Sequence, residues 1–350
     1  MLSPKQFQKQ ILTWFDQHGR KELPWQQDID PYRVWVSEIM LQQTQVATVI
    51  PYYQRFMTEL PTVEALASAS EDQVLHLWTG LGYYARGRNL LRCAQLVCGE
   101  HAGQFPDTVA ALQQLPGIGR STAGAICSIA FGKPAAILDG NVKRVLARYG
   151  AIAGWPGQSQ VLSSLWGLAE SLNPDSRTAD YSQAMMDLGA TVCLRTQPHC
   201  DACPLGRSCQ ANSLQQQQHF PGKKPRKVLP TRATTMLIIS NNSGEIFMAR
   251  RPTRGIWGGL WSFPEVADAS AAKDFCLDNF GQEPASTEHW DTLRHSFSHY
   301  HLEIQPLRMH LLHTPATIME GDAHLWYNRL QPESVGMAAP VSKLLKLIDK

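Results

Sequence analysis

The stretch Leu115-Pro-Gly-Ile-Gly-Arg-Ser-Thr-Ala-Gly124 decides the fold of the N-terminal half of the chain. Its glycines, Gly117 and Gly119, allow a tight hairpin, and Ser121 or Thr122 is suited to open the helix that follows. Apolar residues flank the turn on both sides, which is the pattern of a helix-hairpin-helix motif. Backbone N–H groups at such a turn point outward and can bind a phosphate group without reading a base. The simpler alternative is an ordinary glycine-capped turn.

Helical periodicity extends from this hairpin through residues 1–210. Apolar positions recur at intervals of three and four residues in the stretches 34–57, 62–77, 87–97 and 161–172. Prolines lie between these stretches, where a missing N–H is tolerated in a loop or at a first helical turn. The pattern predicts a mainly α domain over residues 1–214.

A change of composition marks a second domain. Residues 215–232 are polar and basic, begin with four consecutive glutamines and show no periodicity, so we expect an interdomain linker. The β-prone stretches that follow are 234–240, 245–250, 297–306 and 308–312, and the helix-like ones are 269–280 and 341–348. This mixture predicts an α/β domain over residues 233–350.

The composition argues against several classes of protein. The N-terminus lacks the apolar region of a signal peptide, and no run approaches the roughly 18 to 20 apolar residues that a membrane span needs. Eight cysteines in 350 residues are too few for a disulfide scaffold, and four of them crowd into residues 193–209. We therefore expect a cytoplasmic protein that does not associate with a membrane.

The charge is distributed unevenly along the chain. The formal net charge is +2, but residues 1–227 carry 21 basic and 17 acidic side chains, whereas residues 228–350 carry 11 and 13. Eight basic and three acidic residues lie between Arg86 and Arg148. This local excess is typical of a surface that binds an anion, although an ordinary solvated helix surface can have the same composition.

Four of the cysteines form a ligand pattern. Cys193, Cys200, Cys203 and Cys209 are separated by six, two and five residues. Tetrahedral zinc and a 4Fe-4S cluster both accept four cysteine thiolates, and the spacing alone leaves both open. The remaining cysteines are scattered along the chain and are expected to pack in the core.

Two carboxyl groups have contrasting local environments. Residues three and four positions from Glu38 are mostly apolar, an environment that raises a carboxyl pKa. Asp139 follows an apolar run and precedes a helical pattern, so N–H groups and the helix dipole are expected to keep it ionised. One protonated and one ionised carboxyl group are what glycosidic cleavage requires. Alternatively, Glu38 lies at the edge of a core and Asp139 is only a helix cap.

These features occur together, and in the same order, in one known family. They are the segments Glu38–Val46 and Leu81–Arg86, the hairpin, the segment Ile137–Lys143 and the four spaced cysteines. The chain resembles the MutY family of adenine DNA glycosylases, in the endonuclease III (helix-hairpin-helix-GPD) superfamily, over essentially its full length. The resemblance implies excision of adenine mispaired with 8-oxoguanine or guanine in double-stranded DNA. It also implies a monomer, associated with the nucleoid in a bacterium.

The resemblance assigns a role to each candidate residue. Glu38 matches the acid that protonates adenine and later handles the water, and Asp139 matches the carboxylate that stabilises an oxocarbenium-like sugar. Positions that match contacts to DNA or adenine are Leu23, Trp25, Gln42, Gln43, Tyr83, Gly117, Gly119, Ser121, Asn141, Lys143 and Gln183. Gln43 and Tyr83 match wedges in the base stack, although Tyr83 could otherwise be a core residue. The four cysteines match the ligands of a 4Fe-4S cluster, whose loop, with Arg195, is expected to approach DNA.

One position distinguishes the two branches of the superfamily. Bifunctional members carry a lysine nucleophile where this chain has Ser121, and a serine cannot form the Schiff base that permits strand cleavage. A monofunctional glycosylase is therefore predicted, with at most weak lyase activity through Lys143. The alternatives are a bifunctional glycosylase of the thymine-glycol type and a non-catalytic iron–sulfur protein that binds DNA or transfers electrons.

The C-terminal domain resembles the Nudix-like domain of the same family. Gly259 and Glu265 keep the opening spacing of a Nudix box. The positions that should carry its metal-binding carboxylates are occupied by the segment Lys273–Cys276, which does not match them. The resemblance therefore implies recognition rather than hydrolysis, with Phe297, Ser298 and His299 matching a loop that senses 8-oxoguanine. The alternative is an ordinary alternating strand over residues 296–301.

Overall fold

A computed structural model describes residues 1–225, 228–313 and 323–348. The chain divides into two compact units, one of residues 1–68 and 89–226 and one of residues 69–88 and 227–350. This division differs from the predicted domains, 1–214 and 233–350, because a short N-terminal segment groups with the C-terminal unit. The start of the predicted linker groups with the N-terminal unit.

The N-terminal part of the chain is helical, as its periodicity predicts. The helices in this part are α1 (Pro4–His18), α2 (Pro31–Leu41), α3 (Val46–Glu59), α4 (Val63–Ser68), α5 (Glu71–Leu77), α6 (Ala85–His101), α7 (Val109–Leu112), α8 (Arg120–Ala125), α9 (Gly140–Tyr149), α10 (Ser159–Ser171), α11 (Thr178–Asp187) and α12 (Gln210–Ser213). Single π-helical turns, Ile126–Ala130 and Leu188–Val192, continue α8 and α11. Fully buried side chains from α1, α9, α10 and α11, among them Phe7, Leu165 and Leu188, share one core.

Two of the periodic stretches each divide into two helices. The stretch 34–57 divides into α2 and α3, because the chain leaves the helix after Leu41 and Gln43 adopts a left-handed backbone, with φ of 58°. The stretch 62–77 divides into α4 and α5, since the side chain of Ser70 accepts a hydrogen bond from the Gln73 N–H at 3.1 Å.

The hairpin joins α7 to α8 through a turn that requires glycine. Gly117 has a φ of +81°, and a Cβ atom there would lie 2.9 Å from the Cβ of Asn89. The second helix begins at Arg120 with Gly119 as its N-cap, so Ser121 and Thr122 lie inside the first turn rather than opening the helix. The hydroxyl group of Ser121 is therefore available for contacts outside its own helix.

Part of the predicted linker is packed against the helical unit. The buried guanidinium group of Arg148 donates to the carbonyl oxygens of Gln217 and Phe220, both at 3.0 Å. The Gly222 N–H donates to the Gly154 carbonyl oxygen at 2.9 Å. Residues 217–222 thus pack against the helical unit, within the range 215–232 that we predict to be the interdomain linker.

The second unit is a mixed sheet with helices, which confirms the predicted α/β class. Its strands are β1 (Thr231–Ser240), β2 (Ile246–Arg250), β3 (Trp261–Ser262), β4 (Glu265–Val266), β5 (Ser286–His289), β6 (Leu293–Ser296), β7 (His301–His310) and β8 (His324–Tyr327), and its C-terminal helices are α13 (Ala271–Phe280) and α14 (Ala339–Ile348). The sheet order is β3-β2-β1-β7-β5, with β4 paired to β1, β6 to β7 and β8 to β2. Strands β1 and β7 are parallel, and the other pairings between these strands are antiparallel. The predicted strands 297–306 and 308–312 are one strand, β7, which starts later than predicted.

Residues 69–88 are held within the second unit by polar contacts. The Asp72 carboxylate accepts a hydrogen bond from Trp261 Nε1 at 3.2 Å and pairs with Arg250 at 3.5 Å. The Tyr84 hydroxyl donates to the Met337 carbonyl oxygen at 3.0 Å. The turn that carries Tyr83 is therefore anchored to the C-terminal part of the chain.

No helix in the described residues combines the length and apolar character needed to cross a membrane.

Candidate active site

Glu38 lies on α2 among buried apolar residues. Val34 and Trp35, one turn before it, are buried, while Glu38 itself keeps partial exposure. Burial, together with the negative charge of Asp139, raises the pKa of Glu38 to about 8. The predicted direction of this pKa shift is confirmed. The carboxyl group is therefore largely protonated at neutral pH and can donate a proton.

Asp139 is the N-cap of α9, as predicted. Its Oδ1 accepts a hydrogen bond from the Val142 N–H at 2.8 Å. Burial raises the pKa of Asp139 above its ordinary value, although the N–H groups of Val142 and Asn141 and the positive charges of Arg144 and Lys143 oppose the shift. The sequence shows the cap but not the depth at which Asp139 lies, so this upward shift could not be predicted from it. The negative charge of Asp139 raises the pKa of Glu38, so the two carboxyl groups interact electrostatically.

Ser121 connects the hairpin to the segment that precedes Asp139. Its hydroxyl oxygen accepts a hydrogen bond from the Leu138 N–H at 2.9 Å, one residue before Asp139. Gln42, at the end of α2, donates to the Thr122 hydroxyl at 3.4 Å. The first turn of α8 is therefore bonded both to the segment before Asp139 and to the end of the helix that carries Glu38.

A buried carboxylate anchors the segment 20–25, which carries Leu23 and Trp25. Asp187 is fully buried, and it accepts hydrogen bonds from the backbone N–H, Nε and Nη2 of Arg20 at 2.8, 2.9 and 2.6 Å. Gln183 Nε2 donates to the same carboxylate at 2.8 Å. Three predicted pocket residues thus depend on one anchor that the sequence reading missed, because 167 residues separate Asp187 from Arg20 and no local motif relates them.

The Trp25 side chain is largely enclosed. It is buried, and its ring meets that of Tyr53 edge-on, with the centroids 5.5 Å apart. Leu23 is also buried, whereas Gln183 is half-buried.

Both residues that match a base-stack wedge have an unusual backbone. Gln43 and Tyr83 adopt left-handed conformations, with φ of 58° and 49°. Gln43 is exposed, and Tyr83 is 54% exposed, whereas the adjacent Tyr84 is buried. Tyr83 is therefore not a core residue, and its turn presents an aromatic ring to solvent.

The basic excess between Arg86 and Arg148 does not form the continuous surface that its composition suggests. Arg86 and Arg148 are buried, and Arg144 donates to the carbonyl oxygens of Cys193 and Gly189 at 2.7 and 2.6 Å. Arg120 and Lys133 form ion pairs with Glu170 and Asp107. Much of this charge therefore supports the fold, and Arg92 and Lys143 remain at least partly exposed.

The four spaced cysteines line one cavity. Apolar side chains complete its wall, among them Val145, Tyr149, Val192 and Leu205. Arg148 Nη1 donates to Cys193 Sγ at 3.3 Å, and burial raises the pKa of Cys203 to about 12. Four convergent thiols with N–H donors beside them suit a group that binds thiolates, since metal binding is what deprotonates buried cysteines.

In the second unit an aromatic cluster supports an exposed turn. The Phe297 ring lies 5.1 Å from that of Trp257 and 4.9 Å from that of Tyr300, while Ser298 and His299 are exposed. The Phe297 N–H donates to the Tyr300 carbonyl oxygen at 2.9 Å, so residues 297–300 form a turn between β6 and β7. The alternative of a continuous strand over residues 296–301 is therefore wrong.

The helix α13 lies where a Nudix hydrolase would carry its metal ligands. Its buried face consists of Ala272, Cys276 and Phe280, which pack in the sheet core. Glu265 forms an ion pair with Arg251. The residues of this helix therefore provide packing, as the Nudix-like resemblance without its carboxylates implies.

Comparison with known proteins agrees with this architecture. A family model of HhH-GPD superfamily base excision DNA repair proteins matches residues 36–171, and a NUDIX domain model matches residues 235–347. The adenine DNA glycosylase of Buchnera aphidicola subsp. Acyrthosiphon pisum is 37% identical over 98% of each chain. That of Homo sapiens is 36% identical over 97% of this chain and 73% of its own length. The structure of a thermostable thymine-DNA glycosylase matches with a TM-score of 0.55 and 29% identity, over 60% of this chain and 97% of the other.

The helical unit, with its hairpin and neighbouring carboxyl groups, defines a base excision DNA repair enzyme of the HhH-GPD superfamily. The Nudix-like sheet is the second characteristic part of the molecule. The chain belongs to the adenine DNA glycosylase family.

The raised pKa of Glu38 predicts a pH-dependent cost to stability. Unfolded, this group ionises near pH 4.5, whereas in the folded protein it keeps its proton up to about pH 8. The native state binds the extra proton in this interval, so the stability that Glu38 contributes is greatest below pH 4.5 and is lost as the pH rises to 8. Glu38→Gln should therefore be more stable than wild type near pH 8 and about as stable as wild type in acid. The difference in the free energy of unfolding near pH 8 should be about 1.4 kcal/mol for each pKa unit of the shift.

Urea unfolding of both proteins at several pH values between about 5 and 9 measures this difference. Glu59→Gln, at an exposed position on α3, is the matched control and should show no such trend. A difference between Glu38→Gln and wild type that stays constant with pH would show that Glu38 has no raised pKa.

Proposed function

We propose that this enzyme is a monofunctional, monomeric adenine DNA glycosylase that removes adenine opposite 8-oxoguanine or guanine in double-stranded DNA. The observation that carries the proposal is the pair of Glu38 and Asp139, whose charges interact while their surroundings differ. Glu38 has few polar neighbours on its helix and a pKa near 8, whereas Asp139 accepts N–H hydrogen bonds and faces two cations. With a pKa of about 8, Glu38 holds its proton at neutral pH.

The two carboxyl groups can divide the reaction between them. Glu38 donates its proton to a ring nitrogen of the flipped adenine, so that the base departs with the electrons of the bond between the sugar C1′ and the base nitrogen. Asp139 stabilises the positive charge that develops on the sugar. Water then adds to C1′, and its proton returns to the Glu38 carboxylate, which leaves an abasic site and an enzyme ready for another cycle.

Substitution of either carboxyl group tests these roles. Glu38→Gln removes the proton donor and should lower single-turnover adenine release by about 100-fold or more, and Asp139→Asn should do the same by removing the charge on the stabilising group. The wild-type rate should fall above about pH 8 as Glu38 ionises. Binding to the same duplex, measured separately, is the control. Release at the wild-type rate by both variants would refute the assignment.

Ser121 supports hydrolysis without strand cleavage. Its hydroxyl group is neutral and accepts the Leu138 N–H, so it offers no amine to the abasic sugar. Borohydride should therefore trap little protein–DNA adduct with wild type, on a time scale at which base release is complete. Lys143→Ala should remove most of any residual adduct. Abundant adduct that forms as fast as adenine is released would favour the bifunctional alternative.

The cysteine site supports a 4Fe-4S cluster held by Cys193, Cys200, Cys203 and Cys209. All four thiols line one apolar cavity. Within the described residues no group of three or more His, Cys, Asp or Glu side chains is arranged to hold a metal ion. Four cysteine thiolates can hold either zinc or a 4Fe-4S cluster, and the family resemblance favours the cluster. Such a cluster, when bound, would cross-link the loop 193–209 and hold it in shape.

The turn 297–300 supports recognition of the base opposite adenine. Phe297 is anchored in the aromatic cluster, while Ser298 and His299 are exposed with polar atoms available. We expect the double variant Ser298→Ala/His299→Ala to lose most of the preference for 8-oxoguanine over guanine, because the hydrogen-bonding groups are removed without disturbing Phe297. The ratio of single-turnover rates on the two duplexes measures this preference. An unchanged ratio would assign the sensing role elsewhere.

A further inference from the structure

The run of four glutamines at 215–218 contains one member unlike the others. Gln215, Gln216 and Gln218 are exposed, whereas Gln217 is half-buried and lines the cavity of the four cysteines. Composition alone assigns this run to a flexible linker, and the proposed reaction has no role for it. The position of Gln217 therefore calls for its own explanation.

The side chain of Gln217 is held by specific contacts. Its Nε2 donates to Asn212 Oδ1 at 2.6 Å and to Cys200 Sγ at 3.7 Å. Asn212 in turn donates to the Gly206 carbonyl oxygen at 2.9 Å, within the cysteine loop. Because the Asn212 oxygen and the sulfur are both acceptors, they orient the Gln217 amide with its NH2 group toward the cysteines.

The backbone of Gln217 is held by the same guanidinium group that contacts another cysteine. Arg148 Nε donates to the Gln217 carbonyl oxygen at 3.0 Å, and Arg148 Nη1 donates to Cys193 Sγ at 3.3 Å and to the Leu194 carbonyl oxygen at 2.6 Å. The Arg148 side chain is buried, so these acceptors replace the water that it has lost. One cation thus joins residues 193–194 to the glutamine run.

We propose that Gln217 is a positioning residue of the cysteine site, which closes one wall of the cavity and donates an N–H hydrogen bond to the Cys200 sulfur. The inference rests on the proposed cluster. Hydrogen bonds to cluster sulfurs and exclusion of solvent are the means by which a protein stabilises such a group, and the amide of Gln217 supplies both. The predicted linker is accordingly part of the wall of the cofactor site.

Loss of the cluster from the complete chain tests this role. The variants are Gln217→Ala, which removes the wall and the donor, and Gln217→Glu, which keeps the length but replaces the NH2 group by an acceptor. Gln216→Ala is the matched control, because its side chain is exposed one residue away. Iron and sulfide content are measured first, and then the decay of the visible cluster absorbance in the presence of a chelator and a mild oxidant.

We expect both Gln217 variants to lose the absorbance roughly 10-fold faster than wild type, with Gln216→Ala close to wild type. Trypsin cleavage after Lys223, followed in parallel, reports whether the segment has merely loosened. Equal rates of cluster loss in an iron-containing protein would overturn the role of Gln217 and leave the cluster proposal intact. If the wild-type chain carried no iron after reconstitution, the cluster proposal would fail and this role with it.

Discussion

The hydrogen bond from the Val142 N–H to the Asp139 carboxylate starts a helix, α9, that joins three parts of the helical unit. It sets the position of Asp139 at the first turn of that helix. Further along, Val145 and Leu146 enter the shared core, and Arg148 reaches the cysteine loop. One short helix therefore relates Asp139, the core and the cysteine cavity, so a shift in its start would displace all three.

Burial of the two carboxyl groups carries a cost that other contacts offset. The pKa values of Glu38 and Asp139 are both raised mainly by loss of water, which measures how poorly these sites solvate a charge. Asp139 is compensated by N–H donors and nearby cations, whereas both influences on Glu38, burial and the negative charge of Asp139, raise its pKa. This difference suits the two groups to the separate roles that we propose for them. A fold optimised only for stability would place a neutral side chain at Glu38.

The basic residues show that charge in a sequence is not charge on a surface. Arg144 and Arg148 donate to carbonyl oxygens inside the helical unit, and Arg120 and Lys133 are paired with acids. Contact with a phosphodiester backbone can then rely on the uncharged N–H groups of the hairpin, supported by the cations that remain exposed. The direction in which these N–H groups point, rather than a large net charge, would position the DNA.

The hairpin, the helical and α/β classes, the cysteine pattern and the apolar surroundings of Glu38 could be predicted, because each follows from spacing over a few residues. Other features could not be predicted in this way, among them the Asp187–Arg20 anchor, the grouping of residues 69–88 with the sheet, the packed glutamine run and the direction of the Asp139 pKa shift. The physical reason is that each depends on which distant groups meet and on how much water they exclude. Local pattern carries no record of either quantity.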